Sequence, residues 1–281
     1  MHPRQLIASF AALVLSTVLS GCGAVFLNQG SAYYSMNEGL ENPAAGRASK
    51  APQFGDAVCV FVDDSLSAFK FNDLIACGTD SLVEWRDVNP EAARPYAGKV
   101  WAGYDPQESE DGDNAALVIA AAPTREGGPF RLLERHQLRG LDFEQQASFI
   151  RAALSRYDCT YLGIDATGVG AAVYQLLVKP EYGLRGVTKI EYSLEVKAQM
   201  VMKAQHTVAR GRLELDAGWL DLVSAFVSIK KTLTTSGRAV TFRAGRGGND
   251  GHADLAWATM HILMNEPLDG KAKPVATMEI I

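Results

Sequence analysis

The chain has 281 residues, 47% of them hydrophobic and 21% charged, with a formal net charge of −5. Those are ordinary globular values, enough for one large domain or two small ones. The acidic balance excludes a protein that coats nucleic acid through overall positive charge, so any DNA contact has to run through local basic patches or metal ions. The four cysteines, Cys22, Cys59, Cys77 and Cys159, are scattered without a C-x-x-C. That spacing excludes a zinc site and a disulfide framework, and leaves Cys59 and Cys159 to be read as buried thiols.

The N-terminus places the basic stretch Met1-His2-Pro3-Arg4 before an apolar run from Leu6 to Leu19, followed by Ser20-Gly21-Cys22. This describes a secretory signal over residues 1–22, too short for a confident membrane span. Leu19-Ser20-Gly21-Cys22 also resembles the lipobox of bacterial lipoproteins, which implies lipidation at Cys22. Residues 23–56, rich in Gly, Asn, Ser, Ala and Pro, read as a flexible linker. Residues 57–98 read as a connecting segment. It opens on the strand-like Ala57-Val58-Cys59-Val60-Phe61-Val62 and carries Phe69, Phe71, Leu74, Ile75 and Trp85 in amphipathic spacing. Asn89-Pro90 and Arg94-Pro95 mark a loop before dense structure begins at Lys99.

From Lys99 strands alternate with helices. Val100–Tyr104, Ala115–Ala122 and Phe130–Leu138 are expected strands, joined tightly enough for an antiparallel meander. Asp142 with Gln145 forms a capping-box pattern that starts a helix over 143–157. Cys159–Asp165 is a further buried strand, followed by a helix over 171–177, a strand over 187–192 and a helix over 195–210. A helix over 219–233, a short strand over 240–243 and a last helix from about His252 to Asn265 complete the pattern. Trp101, Trp219 and Trp257 are expected in the core. This order predicts an α/β layer fold of RNase H-like type, a mixed central sheet flanked by helices, over residues 99–267, with 268–281 a tail.

Asp105 and Asp165 share one context, the C-terminal end of an apolar strand. On adjacent strands both carboxylates emerge at the same sheet edge, where they repel unless a cation sits between them. Hard oxygen ligands of that kind select Mg²⁺ or Mn²⁺. A single strand-end Asp is as readily a turn former or a helix N-cap. Asp254 supplies a third acid in the first turn of an apolar helix, where the helix dipole alone also favours it. Ala253, Ala256 and Ala258 beside it allow close approach to a sheet. His252 is adjacent, as an auxiliary ligand, phosphate contact or proton carrier, or as an ordinary cap. Arg238, Arg243 and Arg246 in a glycine-rich loop, and Lys197 and Lys203 on one helix, are weaker candidates for the DNA backbone; a solvated loop and helix face are the alternatives. Glu108, Glu110, Asp111 and Asp113 crowd the loop after Asp105.

Three stretches carry a resemblance. They are Val100-Trp101-Ala102-Gly103-Tyr104-Asp105-Pro106, Leu162-Gly163-Ile164-Asp165-Ala166-Thr167-Gly168-Val169-Gly170 and Gly251-His252-Ala253-Asp254-Leu255-Ala256. Together they resemble the C-terminal nuclease domain of the large terminase subunit (terminase ATPase subunit) of tailed bacteriophages, over roughly Val58 to Pro267. Phe61 to Phe69 looks like that family's link between motor and nuclease. The resemblance implies an RNase H-like nuclease in which Asp105, Asp165 and Asp254 hold two Mg²⁺ or Mn²⁺ ions and cut concatemeric double-stranded phage DNA during genome packaging. It implies the small terminase subunit and the portal as partners, and a cytoplasmic site of action. The chain departs from the family in lacking G-x-x-x-x-G-K-[ST], so no ATP site is expected and the ATPase half is expected to be absent. Three alternatives stand beside this reading: another RNase H-like activity such as a junction resolvase or RNase H, an inactive prophage remnant, and a membrane-anchored lipoprotein tethered through Cys22.

Overall fold

The computed structural model describes residues 23–28, 57–62, 66–106, 115–234, 237, 240–244 and 253–266. The chain divides into two compact units at Leu66/Ser67. In the first, β1 (Gly23–Asn28) pairs antiparallel with β2 (Ala57–Val62). The β1 strand falls inside the segment expected to be linker. Its apolar run Ala24-Val25-Phe26-Leu27 is short, but it finds a partner strand far along the sequence, which composition alone does not register. The signal-like segment, Cys22 and the tail 268–281 lie outside the described residues. Among those described, no helix is long and apolar enough to cross a membrane.

The second unit is a seven-stranded mixed sheet with helices on both faces. It opens earlier than Lys99, with α1 (Phe71–Ile75), β3 (Gly78–Thr79) and α2 (Ser81–Glu84). Phe69, Phe71, Leu74, Cys77, Trp85 and Tyr96 are buried there, so residues 67–98 belong to this unit and contribute an edge strand to it. The central strands are β4 (Lys99–Asp105), β5 (Ala115–Ala121), β6 (Phe130–Leu138), β7 (Asp158–Asp165), β8 (Val187–Ile190) and β9 (Leu213–Asp216), in the order β3-β9-β6-β5-β4-β7-β8. β4, β5 and β6 form the antiparallel meander. The remaining pairings are parallel.

Between the strands run α3 (Phe143–Leu154), α4 (Gly170–Leu177), α5 (Leu194–Ala209) and α6 (Leu220–Val227), and α7 (Asp254–Leu263) follows last. The capping box of α3 forms as its sequence predicts: Gln145 N–H donates to the Asp142 carboxylate, and the Gln145 side chain accepts from Asp142 N–H.

Alternation decides which face each side chain serves. Val100, Ala102 and Tyr104 of β4, with Leu117 and Ile119 of β5, pack with Ile150 and Leu154 of α3 and Val173 and Leu177 of α4. The opposite face of β4 carries Trp101, Gly103 and Asp105, and that of β7 carries Tyr161, Gly163 and Asp165. This face is covered by α7, which is buried along its whole length. Gly103 is what lets it settle: a Cβ there would meet the Ala258 carbonyl oxygen at 1.9 Å. Gly163 is similar, with the His261 carbonyl oxygen 2.9 Å from where a Cβ would stand. A helix can lie backbone-close on a sheet only over such small residues.

One expected element is wrong. The helix predicted over 219–233 stops at Val227, and Ile229–Leu233 forms β10, which pairs antiparallel with β11 (Val240–Ala244). Ile229 and Thr232 are β-branched and stiff in a helix, and the available partner strand decides between the two local preferences. The strand expected over 187–192 ends at Ile190, which releases Tyr192 from the sheet. Trp257 is buried, whereas Trp101 and Trp219 are half-exposed. Cys159 is likewise half-buried rather than buried, and the Cys59 side chain lies outside the description.

Candidate metal centre

Asp105 and Asp165 end β4 and β7, which are parallel neighbours. Tyr104 stands in register with Ile164, so the two acids are the next residues along and leave the sheet at one edge. Adjacent strands lie about 4.8 Å apart, which fixes the separation of the two backbones. Asp254 comes to the same edge because α7, seated on Gly103 and Gly163, begins there. Asp105 and Asp254 are 5% and 6% exposed, and Asp165 is half-buried.

The electrostatics record the crowding. Burial pushes the Asp105 carboxyl well above the usual range, and the charges of Asp254 and then Asp165 push it further; Lys197 pulls the other way. Asp165 is also raised by burial, against the hydrogen bond it accepts from the Thr167 N–H at 2.8 Å and against Lys197. Lys197 of α5 is itself lowered by burial and by Arg243 on β11, opposed by Asp165 and Asp105. Its ammonium sits 4.7 Å from the ring centre of Tyr192 and 5.5 Å from that of Trp257, a cation held on two aromatic faces. Among the described residues no group of three or more His, Cys, Asp or Glu side chains is already closed into an ion cage. The three acids share the edge and feel each other's charge without converging on one point.

The weaker candidates separate. Lys197 faces the acids. Lys203 does not: its ammonium donates to the carbonyl oxygens of Leu263 at 3.2 Å, Met264 at 3.4 Å and Glu266, and so caps the C-terminal end of α7. The expected DNA contact at Lys203 is therefore replaced by a structural one. Arg243 is exposed on β11, near enough to Lys197 to be felt. His252, Arg238 and Arg246, and the acids of the 107–114 loop, lie outside the described residues.

Sequence reading missed Tyr192 and His261. His261 is buried on α7, with Nδ1 3.0 Å from the Tyr104 carbonyl oxygen and Nε2 2.7 Å from the Tyr192 hydroxyl. Burial holds its imidazole down to about 3, so the ring is neutral. The phenol of Tyr192 is raised well above its ordinary value by burial and by the charges of Asp105, Asp165 and Asp254. A signal existed for one of them: Asp254, Trp257 and His261 fall at i, i+3 and i+7, one face of a helix.

An antiparallel three-stranded meander continuing into parallel strands, with helices on both faces, is the RNase H-like fold. Solved structures share the fold. The large terminase nuclease of thermophilic phage G20c with bound magnesium is 18% identical, with a TM-score of 0.50 over 63% of this chain and 84% of that one. The HK97 bacteriophage large terminase is 15% identical, with a TM-score of 0.50 over 70% of this chain and 43% of that one. Residues 102–266 match the family described as the terminase RNaseH-like domain, and the chain belongs to it. The terminase ATPase subunit of Escherichia phage P2 is 47% identical over 225 residues, 80% of this chain and 37% of that protein. The probable terminase ATPase subunit of Haemophilus phage HP1 is 40% identical over 217 residues, 77% of this chain and 35% of that protein. The chain thus spans little more than a third of the length of these relatives.

Proposed function

We propose that the second unit is a metal-dependent DNA endonuclease, the cutting domain of a terminase large subunit, which cleaves concatemeric viral DNA during genome packaging. The observation that carries this reading is the clustering of Asp105, Asp165 and Asp254 at one sheet edge, with Asp105 buried and repelled by the other two. Three carboxylates supply hard oxygen donors, the chemistry that Mg²⁺ or Mn²⁺ requires, and the fold relative from phage G20c has bound magnesium in its solved structure. Two strands and a helix hold them. Asp105, Asp165 and Asp254 would together hold two such ions. Ions bound there supply an activated water and a counter-charge for the departing 3′ oxygen.

The chain's own residues do the rest. Lys197, half-buried against the acids, meets a scissile phosphate and offsets its charge. Arg243, exposed on β11, contacts the DNA backbone further out, with Arg238 and Arg246 of the same stretch of sequence. His252, two positions before Asp254 in the sequence, is assigned an auxiliary role. Double-stranded DNA is the substrate, and the small terminase subunit and portal are the partners, in the host cytoplasm. Mn²⁺-dependent nicking of a supercoiled plasmid tests the reading: Asp105→Ala and Asp165→Ala lose it and keep the fold, and undiminished nicking by the folded variants would sink it.

A further inference from the structure

Beyond the acids themselves, one continuous hydrogen-bonded path links the elements that carry them. It starts at the Tyr104 carbonyl, the peptide that leads into Asp105. That oxygen can only accept, so His261 Nδ1 carries the hydrogen at 3.0 Å. In the neutral ring Nε2 is then the acceptor, and the Tyr192 hydroxyl at 2.7 Å donates to it. His261 lies two turns along α7 from Asp254 and shares its face. Tyr192 continues the path through its backbone: its N–H donates to Thr167 Oγ1 at 2.8 Å, and the Thr167 N–H donates to Asp165 Oδ1 at 2.8 Å. The route runs from the peptide before Asp105, through α7, to the carboxylate of Asp165.

The same tyrosine carries a second duty. Its ring packs against Trp257 at 5.7 Å and forms one of the two faces on which the Lys197 ammonium rests. With its proton committed to His261, the phenol has none left to donate to the carboxylates, and it adds no positive charge among them.

We infer that Tyr192 and His261 are positioning residues, a neutral bridge that fixes the spacing of Asp105, Asp165 and Asp254 and thereby sets the affinity of the site for divalent cations. This rests on the metal-site reading of the three acids. Nothing in the bridge touches substrate or transfers a proton to it. It acts on the acids through the peptide before Asp105, through α7 and through Thr167. Groups that orient metal ligands in this way are worth about 10–100-fold in metal affinity when removed.

The test is thermal unfolding of the full chain at increasing Mn²⁺, with no DNA present. Wild type is expected to gain stability as the metal rises. Tyr192→Phe keeps the ring shelf but leaves His261 Nε2 without its donor, and is expected to require about 10-fold more Mn²⁺ for the same gain. Thr167→Val cuts the other arm and is expected to shift the midpoint the same way. The metal-free melting temperature reports folding separately from the Mn²⁺ midpoint. A wild-type midpoint in both folded variants overturns the bridge while leaving the metal site standing. No Mn²⁺-dependent stabilisation of wild type overturns the metal site and the bridge with it.

Discussion

Gly103→Ala applies the smallest steric change to the point on which the site depends. A Cβ at this position would stand 1.9 Å from the Ala258 carbonyl oxygen, 3.0 Å from its carbonyl carbon and 3.0 Å from the His261 Cβ. Real Cβ atoms essentially never approach another heavy atom closer than 3.0 Å, so α7 has to retreat from β4 by about 1.1 Å, the difference between 3.0 and 1.9. The obstacle is backbone, so no side-chain rotation relieves it. Overpacking of this kind costs about 1–3 kcal/mol. For a domain of this size that lowers the melting temperature by roughly 2–4 °C for each kcal/mol. The catalytic loss is larger, because α7 carries Asp254 and His261. A misplacement of about 1 Å costs on the order of 100-fold in rate. Melting curves and Mn²⁺-dependent plasmid nicking, measured side by side, read both effects. Wild-type melting together with wild-type nicking would refute the claim that glycine at 103 is required for α7 to deliver its acid.

The buried acids also predict a pH dependence. Asp105 has its folded value raised above the unfolded one, so below about pH 3.9 both states hold the proton and the group costs nothing. As pH rises past that point the unfolded chain ionises first, and stability is lost until the folded carboxyl ionises too. Without divalent metal, the melting temperature of Asp105→Asn minus that of wild type should therefore widen from pH 4 toward neutrality; a flat difference contradicts the buried, repelled carboxylate. Lys203 gives a contrast between stability and DNA binding. Lys203→Met is expected to lower unfolding free energy by about 1–2 kcal/mol through loss of its charged hydrogen bonds to the end of α7, with an unchanged salt dependence of DNA affinity. Unaltered urea unfolding combined with a shallower salt slope would return Lys203 to the DNA-contacting set.

The strand-ending acids were legible because a buried strand states its own limits: an apolar run stops at a polar residue, and Asp105 and Asp165 are those stops. The capping box at Asp142 and Gln145 was legible for a related reason, since both partners lie within one turn. The hairpin β10–β11 was not. Ile229–Leu233 carries both helical and strand preferences, and only the partner Val240–Ala244 chooses between them. β1 hid for the same reason, its partner β2 lying beyond the segment read as linker. β3 and β9 at the far edge are too short for periodicity to register. The bridge through Tyr192 and His261 was invisible because it joins residues 69 positions apart in sequence, and nothing local to Tyr192 announces a hydroxyl aimed at a buried imidazole. Lys203 shows the converse: a lysine on an exposed-looking helix reads as a DNA contact until the carbonyls at the end of α7 are seen beneath it.

The most direct measurement is nicking of supercoiled plasmid by the purified chain with Mn²⁺ or Mg²⁺, repeated with EDTA and with Asp105→Ala and Asp165→Ala of confirmed fold by circular dichroism. The three-carboxylate account predicts metal-dependent nicking by wild type, none with EDTA, and background levels from each variant. Nicking that persists in EDTA, or in both folded variants, contradicts it.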